Sequence, residues 1–400
     1  MNNSAGLPTW NRFGLLSFGL LLTYFSGFGQ TFLLSLYLPD IQALLEVTNT
    51  QLGSLYAMAT IGSALVLPWL GGYFDQFSLK RYAIACILGL AGSLSLLSVA
   101  HHLVVVVMSF FGLRLFGQGL MSHTATASMA RYFDRSRGKA ISIAGIGHPC
   151  GEATLPLIVT LLIGTLGWRP ALQVSGAICV LVVAPLAFVL LSLSRERIDR
   201  FHGANPLAPR HQNTARTFHF LLERRFWVIF PVSFLPGFAN TALFFFQLKL
   251  GSERGWSPEW VAFSVSSFAI AGAVGMLASG PLVDRFTGKR LFPYYMVPFL
   301  AGIVVLVFFK QAIAYPVALA LLGLGNGLGS TIKSALLAEL YGTEIIGKIR
   351  SLYTTIMVFS TALGPVSFGL LLDLDWSFSA VFSLTAGLII LAILNALRPL

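Results

Sequence analysis

Gly71-Gly72-Tyr73-Phe74-Asp75-Gln76-Phe77-Ser78-Leu79-Lys80-Arg81 returns, with changes, as Gly280-Pro281-Leu282-Val283-Asp284-Arg285-Phe286-Thr287-Gly288-Lys289-Arg290. The two aspartates stand about half a chain apart, and each copy sits where one apolar stretch ends and the next begins. Two further pairs recur at the same spacing to within one residue. They are Gly117-Gln118-Gly119 with Gly325-Asn326-Gly327, and Gly138-Lys139 with Gly347-Lys348. A charged hinge repeated once per half marks an internal duplication. The spacing predicts two homologous halves related by an axis along a membrane normal.

The membrane follows from composition. The chain has 400 residues, of which 56% are hydrophobic and only 10% charged, with a mean hydropathy of +0.79. A soluble domain carries about 25% charged residues. Twelve apolar stretches are legible: 12–38, 50–70, 81–100, 104–130, 139–163, 170–193, 225–248, 258–283, 289–309, 313–338, 351–372 and 376–397. Each is long enough, at 1.5 Å per residue, to cross a hydrocarbon core of about 30 Å as a helix. Barrel strands would be shorter and alternate in polarity. The predicted fold is an all-α integral membrane protein with twelve transmembrane helices in two pseudo-symmetric six-helix bundles, residues 1–193 and 225–400. A polar cytoplasmic linker, 194–224, joins them and holds Arg195, Arg197, Arg200, Arg210 and Arg216.

The net charge of +11 does not point to nucleic acid, because its placement is topological. With the N-terminus in the cytoplasm, only Arg169, Lys249, Arg254 and Lys310 fall on outer loops, and only Arg114 and Lys333 fall inside spans. The other Lys and Arg are cytoplasmic, which is the positive-inside bias and places both termini in the cytoplasm. Short loops and termini suit a bacterial inner membrane. Cys86, Cys150 and Cys179 all fall in spans and form neither a disulfide framework nor a metal spacing. The first stretch is too long for a signal-peptide core and reads as a retained span. The run Gly323-Leu324-Gly325-Asn326-Gly327-Leu328-Gly329 fails the nucleotide-loop spacings and reads as close helix packing. No cofactor is expected.

Polar groups inside a bilayer are costly and usually face the bundle interior. Span 4 contributes Arg114, Gln118 and His123; span 5 contributes His148 and Glu152. Counted from the short loop between these antiparallel helices, His123 and His148 come out level, with Glu152 and then Arg114 deeper. Such a ladder of titratable groups suits a proton pathway. The alternative is structural, with Arg114 and Glu152 neutralising each other. Two histidines and a carboxylate are also metal-ligand types, but no fourth ligand is evident and no metal is expected. Candidate substrate contacts are Tyr24, Gln30 and Tyr37 in span 1, Asn240, Phe244 and Gln247 in span 7, and Asn326 and Lys333 in span 10. Against these stand plain packing for the aromatics and snorkelling for Lys333.

These features resemble the major facilitator superfamily over essentially the whole chain. Its hallmark between spans 2 and 3 reads G-x-x-x-D-[RK]-x-G-x-[RK]-[RK]. The second copy supplies Gly280, Asp284, Arg285, Gly288 and Lys289 or Arg290, with one position compressed. The first supplies Gly71, Asp75, Lys80 and Arg81, with Gln76 and Ser78 at the other two positions. Arg114-Leu115-Phe116-Gly117-Gln118-Gly119 is similar to the family's span 4 element. Gly145-Ile146-Gly147-His148-Pro149-Cys150-Gly151 is a loose version of the span 5 element of its antiporters. The hinge Arg131–Gly147 looks like that of monocarboxylate and oxalate:formate transporters, although spans 8 and 11 hold no Lys, Arg or His. The resemblance implies a secondary transporter, not an enzyme, that moves a small organic solute by alternating access. The hinge residues would form a cytoplasmic gate, their aspartates capping helix N-termini and their basic residues meeting loop acids or lipid heads. The expected partners are a small-molecule substrate, protons and membrane lipid, with no nucleic acid, and the chain is expected to be a monomer. An organic anion carrier is one reading. A proton-coupled efflux pump for drugs, siderophores or amphipathic metabolites is the alternative, and a membrane receptor or integral-membrane enzyme a remote one.

Overall fold

The computed structural model of the protein describes residues 9–133, 136–204, 223–341 and 346–398. Most of the expected linker, 205–222, and both chain ends lie outside the described residues, as does the expected placement of the termini. The described residues form helices and turns, with no strand among them. Eleven helices are long and apolar enough to cross a membrane: spans 2 to 12 are Asn49–Asp75, Leu79–Ser98, Leu103–Tyr132, Arg137–Leu166, Trp168–Leu193, Arg224–Phe245, Pro258–Phe286, Gly288–Phe308, Ala314–Tyr341, Leu352–Asp373 and Phe378–Ala396. Span 1 is a bent pair, Phe13–Gly29 and Thr31–Leu45, which meet at 48°.

The chain forms two compact units. One comprises Met1–Tyr37 with Met58–Gln212, the other Leu38–Ala57 with Asn213–Leu400. In the first, span 1 packs on span 5, span 3 on span 6, and span 3 on span 4. In the second, span 7 packs on span 11, span 9 on span 12, and span 9 on span 10. These are the same pairs under the duplication, so the repeat in the sequence is a repeat in packing. In the second unit, spans 8 and 10 touch backbone to backbone. A Cβ on Gly323 would stand 2.2 Å from the Phe268 carbonyl oxygen, and one on Gly327 2.0 Å from that of Gly272. The glycine run is therefore a packing seam.

The break in span 1 has a similar cause. Ser26–Gly29 tightens into a 3₁₀ turn, Gln30 is extended (φ −89°, ψ 153°), and the helix restarts at Thr31. The turn lies on span 4 at Leu113–Met121, which is π-helical. A Cβ on Gly29 would meet the Leu113 carbonyl oxygen at 2.2 Å and the Gln118 nitrogen at 2.5 Å; one on Gly117 would meet Gly29 Cα at 2.8 Å. Only glycine permits that approach.

The two hinges are built differently. In the first, Ser78 caps span 3 by accepting from the Arg81 N–H (3.4 Å). Asp75 closes the 3₁₀ turn Tyr73–Asp75 and is ion-paired with Arg131 of span 4. In the second, Glu339 of span 10 accepts from the backbone N–H groups of Gly288 (2.6 Å) and Lys289 (2.9 Å). Among the described residues neither aspartate caps a helix N-terminus. Asp75 sits on the C-terminal side of its own helix, and Asp284 is exposed inside the last turn of span 8. Gly288 also has a different role from the one the motif suggests. Its Cβ would stand 2.6 Å from the Leu336 nitrogen, so it serves close approach. The left-handed backbone falls one residue earlier, on Thr287 (φ 68°, ψ 154°).

Two stability changes are expected from this packing. Gly29→Ala should destabilise the protein by about 1–3 kcal/mol through overpacking against rigid backbone, whereas Gly92→Ala, with nothing within 4 Å of its Cβ, should not. Thermal unfolding of the two variants in detergent makes the comparison. Thr287→Gly should raise the unfolding temperature. It relieves a conformation that costs a β-branched residue about 1–3 kcal/mol, against about 0.5–1 kcal/mol for the freedom glycine adds to the unfolded chain.

Candidate functional site

Arg114 and Gln118 ride on the π-helical part of span 4, where the helix widens beside the break in span 1. The Arg114 side chain is 4% exposed. Its Nη1 donates to the Gly29 carbonyl oxygen at 3.4 Å and to Thr31 Oγ1 at 3.5 Å, at the outer limit of a hydrogen bond. The Gly29 carbonyl is a group that the broken helix frees. Broken spans and π-helical turns recur at functional sites for this reason: they leave backbone groups to be satisfied by side chains or ligands. Gln30, half-buried, is the residue at the break.

Glu152 lies near the middle of Arg137–Leu166 and is 7% exposed. Among the described residues it makes no hydrogen bond and no ion pair. The alternative reading, an Arg114–Glu152 pair, has no ion pair to support it among the described residues: Arg114 donates to the Gly29 carbonyl of span 1. Around Glu152, spans 1 and 5 are in close contact. Gly151 abuts the Tyr24 carbonyl oxygen, at 2.6 Å from a Cβ, and the Tyr24 hydroxyl pairs with Thr154 Oγ1 at 2.8 Å. His148, one turn away, is half-buried and meets the Phe32 ring edge-on at 6.3 Å.

His123 does not join this group. It faces Gly71 and meets the Phe74 ring edge-on at 6.0 Å, at the first hinge. Depth counting fixes a level but not a face: His123, on the α-helical stretch Ser122–Tyr132, turns to span 2 rather than to span 5. Tyr37 is 2% exposed and packs in the core of its unit. Among the described residues no three His, Cys, Asp or Glu side chains are placed to hold a metal ion.

The second unit offers a separate set. Lys333 is half-buried on span 10, and its Nζ stands 5.9 Å from the centroid of the Tyr295 ring. The Tyr295 hydroxyl is spent on the Val232 carbonyl oxygen (2.7 Å). Among the described residues no acid faces Lys333. Asn240 Oδ1 is buried with no donor among the described residues. Phe244 packs edge-on to Phe268 at 5.1 Å, and Gln247, fully buried, accepts from the Tyr315 hydroxyl at 3.3 Å; both belong to the core. Asn326 is exposed. A cleft of about 280 Å³ between spans 7 and 12 is lined by Phe230, Phe234 and Leu391 among others. Its one polar group, the Asn395 amide, already donates to the Trp227 carbonyl oxygen at 3.0 Å, so this cleft carries no chemistry.

At the hinges, Arg131 joins Asp75 and covers the Phe74 ring at 4.3 Å. Lys80 donates to Ser192 Oγ at 3.3 Å and sits over the Phe188 ring at 3.1 Å. Arg285 and Arg290 lie over the Phe286 ring at 5.2 and 5.9 Å. Arg81 and Lys289 are exposed, Gly71 is half-buried, and Gly280 has open space at its Cβ. Arg131 and Glu339 are the hinge partners that motif reading misses. Each lies on a different span from the motif it serves, and only an acid or base near a helix end signals it.

Known proteins agree with this architecture. The family model described as Major Facilitator Superfamily matches residues 20–315 and 242–400. The chain is 26% identical over 291 residues to "Monocarboxylate transporter 11" of Homo sapiens, a match that takes in 69% of the chain but only 59% of the human protein. It is 25% identical over 397 residues to "Probable sulfoacetate transporter SauU" of Cupriavidus necator, covering 92% of the chain and 90% of that protein. Among solved structures, that of nucleoside transporter NupG superposes with a TM-score of 0.76 at 13% identity, covering 96% and 98% of the two chains, a likeness of fold. Matched by the family model over nearly its whole length and built of membrane-crossing helices, the chain belongs to the Major Facilitator Superfamily and is an integral membrane protein.

Proposed function

We propose that this protein is a proton-coupled secondary transporter of small organic anions, working by alternating access as a monomer in a bacterial inner membrane, with both termini cytoplasmic. The observation that carries the coupling is Glu152: a carboxylate buried at the middle of a span, without a hydrogen bond or ion pair among the described residues. A charge held there without a partner is costly, so the group is suited to being neutral when no cation is near and to exchanging a proton as access changes. Tyr24, Thr154 and His148 line the way to it. The anion reading rests on the intramembrane cations. Arg114 and Lys333 are the Lys and Arg that lie away from the ends of the described spans, and no acid faces Lys333 among the described residues. The buried, donor-less Asn240 Oδ1 would add a contact for a hydroxyl or amide of the solute. The names of the relatives, a monocarboxylate and a sulfoacetate transporter, favour the same solute class. The hinge residues around Asp75 and Asp284 would act as the cytoplasmic gate.

In proteoliposomes loaded with monocarboxylates or sulfoacetate, Glu152→Gln is expected to abolish pH-gradient-driven accumulation while leaving solute counterflow, which needs no net proton movement. Intact accumulation in that variant would refute the proton role. Lys333→Gln should raise the KM for anions about 10- to 100-fold, the value of one charge-assisted hydrogen bond, with Lys333→Arg intermediate. An unchanged KM would return Lys333 to a structural role.

A further inference from the structure

Span 7 carries a row of phenylalanines at helical spacing, Phe226, Phe230, Phe234 and Phe238, whose rings follow one another at 5.6, 5.3 and 5.9 Å. Pro231 stands in the same helix. A proline has no N–H, so the carbonyl four residues before it, that of Trp227, loses its helix donor. Span 12 supplies a replacement. Asn395 Nδ2 donates to the Trp227 carbonyl oxygen at 3.0 Å and reaches that of Val228 at 3.4 Å. This contact pins the start of span 7 to the end of span 12. Further inward the helices part. The cleft of about 280 Å³ opens there, with Phe230 and Phe234 on one side and Leu388 and Leu391 on the other. The stretch from Leu388 to Asn395 gives it a length of about 10 Å at 1.5 Å per residue.

Two properties of the cleft select its occupant. The first is an apolar wall open to the outside of the helix pair: Leu391 is 62% exposed and Leu388 40%. Span 12, Phe378–Ala396, holds no charged residue, so this face lies in hydrocarbon and a hydrocarbon chain fills the cleft. The second is charge at one end. Arg224 lies one helical turn before Trp227, and Arg398 one turn beyond Asn395, so the Asn395–Trp227 contact places both at the same end of the antiparallel pair. Both are exposed, and neither side chain makes a hydrogen bond or ion pair among the described residues. The adjacent Glu223 and Arg225 act on Tyr341 of span 10. Glu223 does not cap span 7 with its side chain, so the first N–H groups of that helix add to the positive potential. Trp227, 58% exposed, follows Arg224 and stands 5.9 Å from the Phe230 ring. Cations, an interfacial tryptophan and then an apolar slot match a phospholipid read from its phosphate to its chain.

We propose that the cleft between spans 7 and 12 binds an anionic phospholipid, its phosphate held by Arg224 and Arg398 and one acyl chain lying along Phe230 and Phe234. The planar guanidinium fork meets phosphate oxygens in pairs. A zwitterionic lipid brings an ammonium that the arginines repel, and a free phosphate leaves the slot unfilled. The test needs no transported solute. The full-length protein is reconstituted in phosphatidylcholine bilayers and titrated with phosphatidylglycerol brominated on its acyl chains, with tryptophan fluorescence as the readout. The part of the quenching that Trp227→Phe removes reports the cleft. In the unmodified protein that part should saturate at a low fraction of phosphatidylglycerol, whereas brominated phosphatidylcholine should quench only in proportion to its share of the bilayer. Arg224→Gln/Arg398→Gln should raise the half-saturating fraction about 25-fold, roughly fivefold for each charge removed. Arg224→Lys/Arg398→Lys, which keeps both charges, should shift it less. Leu388→Phe/Leu391→Phe, which fills the slot and keeps both arginines, should abolish the saturable quenching. An unchanged half-saturating fraction in the folded Gln double variant would overturn the site. Equal behaviour of the two lipids, the mark of an annular lipid only, would overturn it as well. Loss of the quenching on adding glycerol 3-phosphate would show a site for free phosphate and reject the lipid. Should the Gln double variant not fold, undiminished saturation in Leu388→Phe/Leu391→Phe would count equally against the proposal.

Discussion

A helix cannot be broken inside hydrocarbon unless protein groups take up the backbone it frees, and this constraint organises the first unit. Span 1 breaks at Gly29–Gln30, and the freed Gly29 carbonyl is met by Arg114. For Arg114 to reach it, span 4 must lie against the break, which requires glycine at both positions 29 and 117. The widened π-helical turn of span 4 sits at that contact. With Arg114 engaged there, Glu152 is left without a neutralising partner among the described residues. A packing requirement on two glycines thereby sets the electrostatic character of the unit's centre.

Charge elsewhere is used to finish helices. Two loop cations, Arg169 and Arg254, do this. Arg169 donates to the Ala100 carbonyl oxygen (2.9 Å) beyond the end of span 3, and Arg254 to that of Phe309 (2.9 Å) beyond span 9. Both sit at the negative end of a helix dipole, where a cation is favourable. At the end of span 4, Arg197 of the short helix after span 6 donates to the Tyr132 carbonyl oxygen (2.9 Å) and covers the Phe133 ring (4.1 Å). One of the linker arginines is thus a helix stop.

The membrane class, the spans and the duplication were legible because they depend on the length and periodicity of apolar residues, which are local properties. Span 1 shows the limit of that reading. Its apolar stretch ends at 38, yet the helix runs on to Leu45, because the polar residues after Tyr37 are accommodated in the second unit. The central residues Arg114, Gln118, His148 and Glu152 were legible as costly groups in apolar surroundings. Their partners were not. Depth counting gives a level and not a face, so His123 was expected beside His148 and turns instead to Gly71 and Phe74 at the hinge. Tyr37, Phe244 and Gln247 have the residue types of a binding surface and the positions of a core. Glu339 caps a helix far from it in sequence, as does Asp373, which accepts from the N–H groups of Asn49 (3.0 Å) and Thr50 (2.8 Å), and such contacts depend on tertiary placement rather than on spacing.

The seam between spans 8 and 10 has a mechanical consequence. Where Gly323 and Gly327 bring the backbone of span 10 onto the Phe268 and Gly272 carbonyls of span 8, no side chain stands between the helices to tilt or change rotamer. Neither lipid tails nor water can enter so narrow a gap. Soft degrees of freedom in a helix pair come from side chains that re-pack, and this pair has almost none along its middle. Spans 8 and 10 therefore behave as one stiff beam, able to carry a torque from one membrane face to the other without bending.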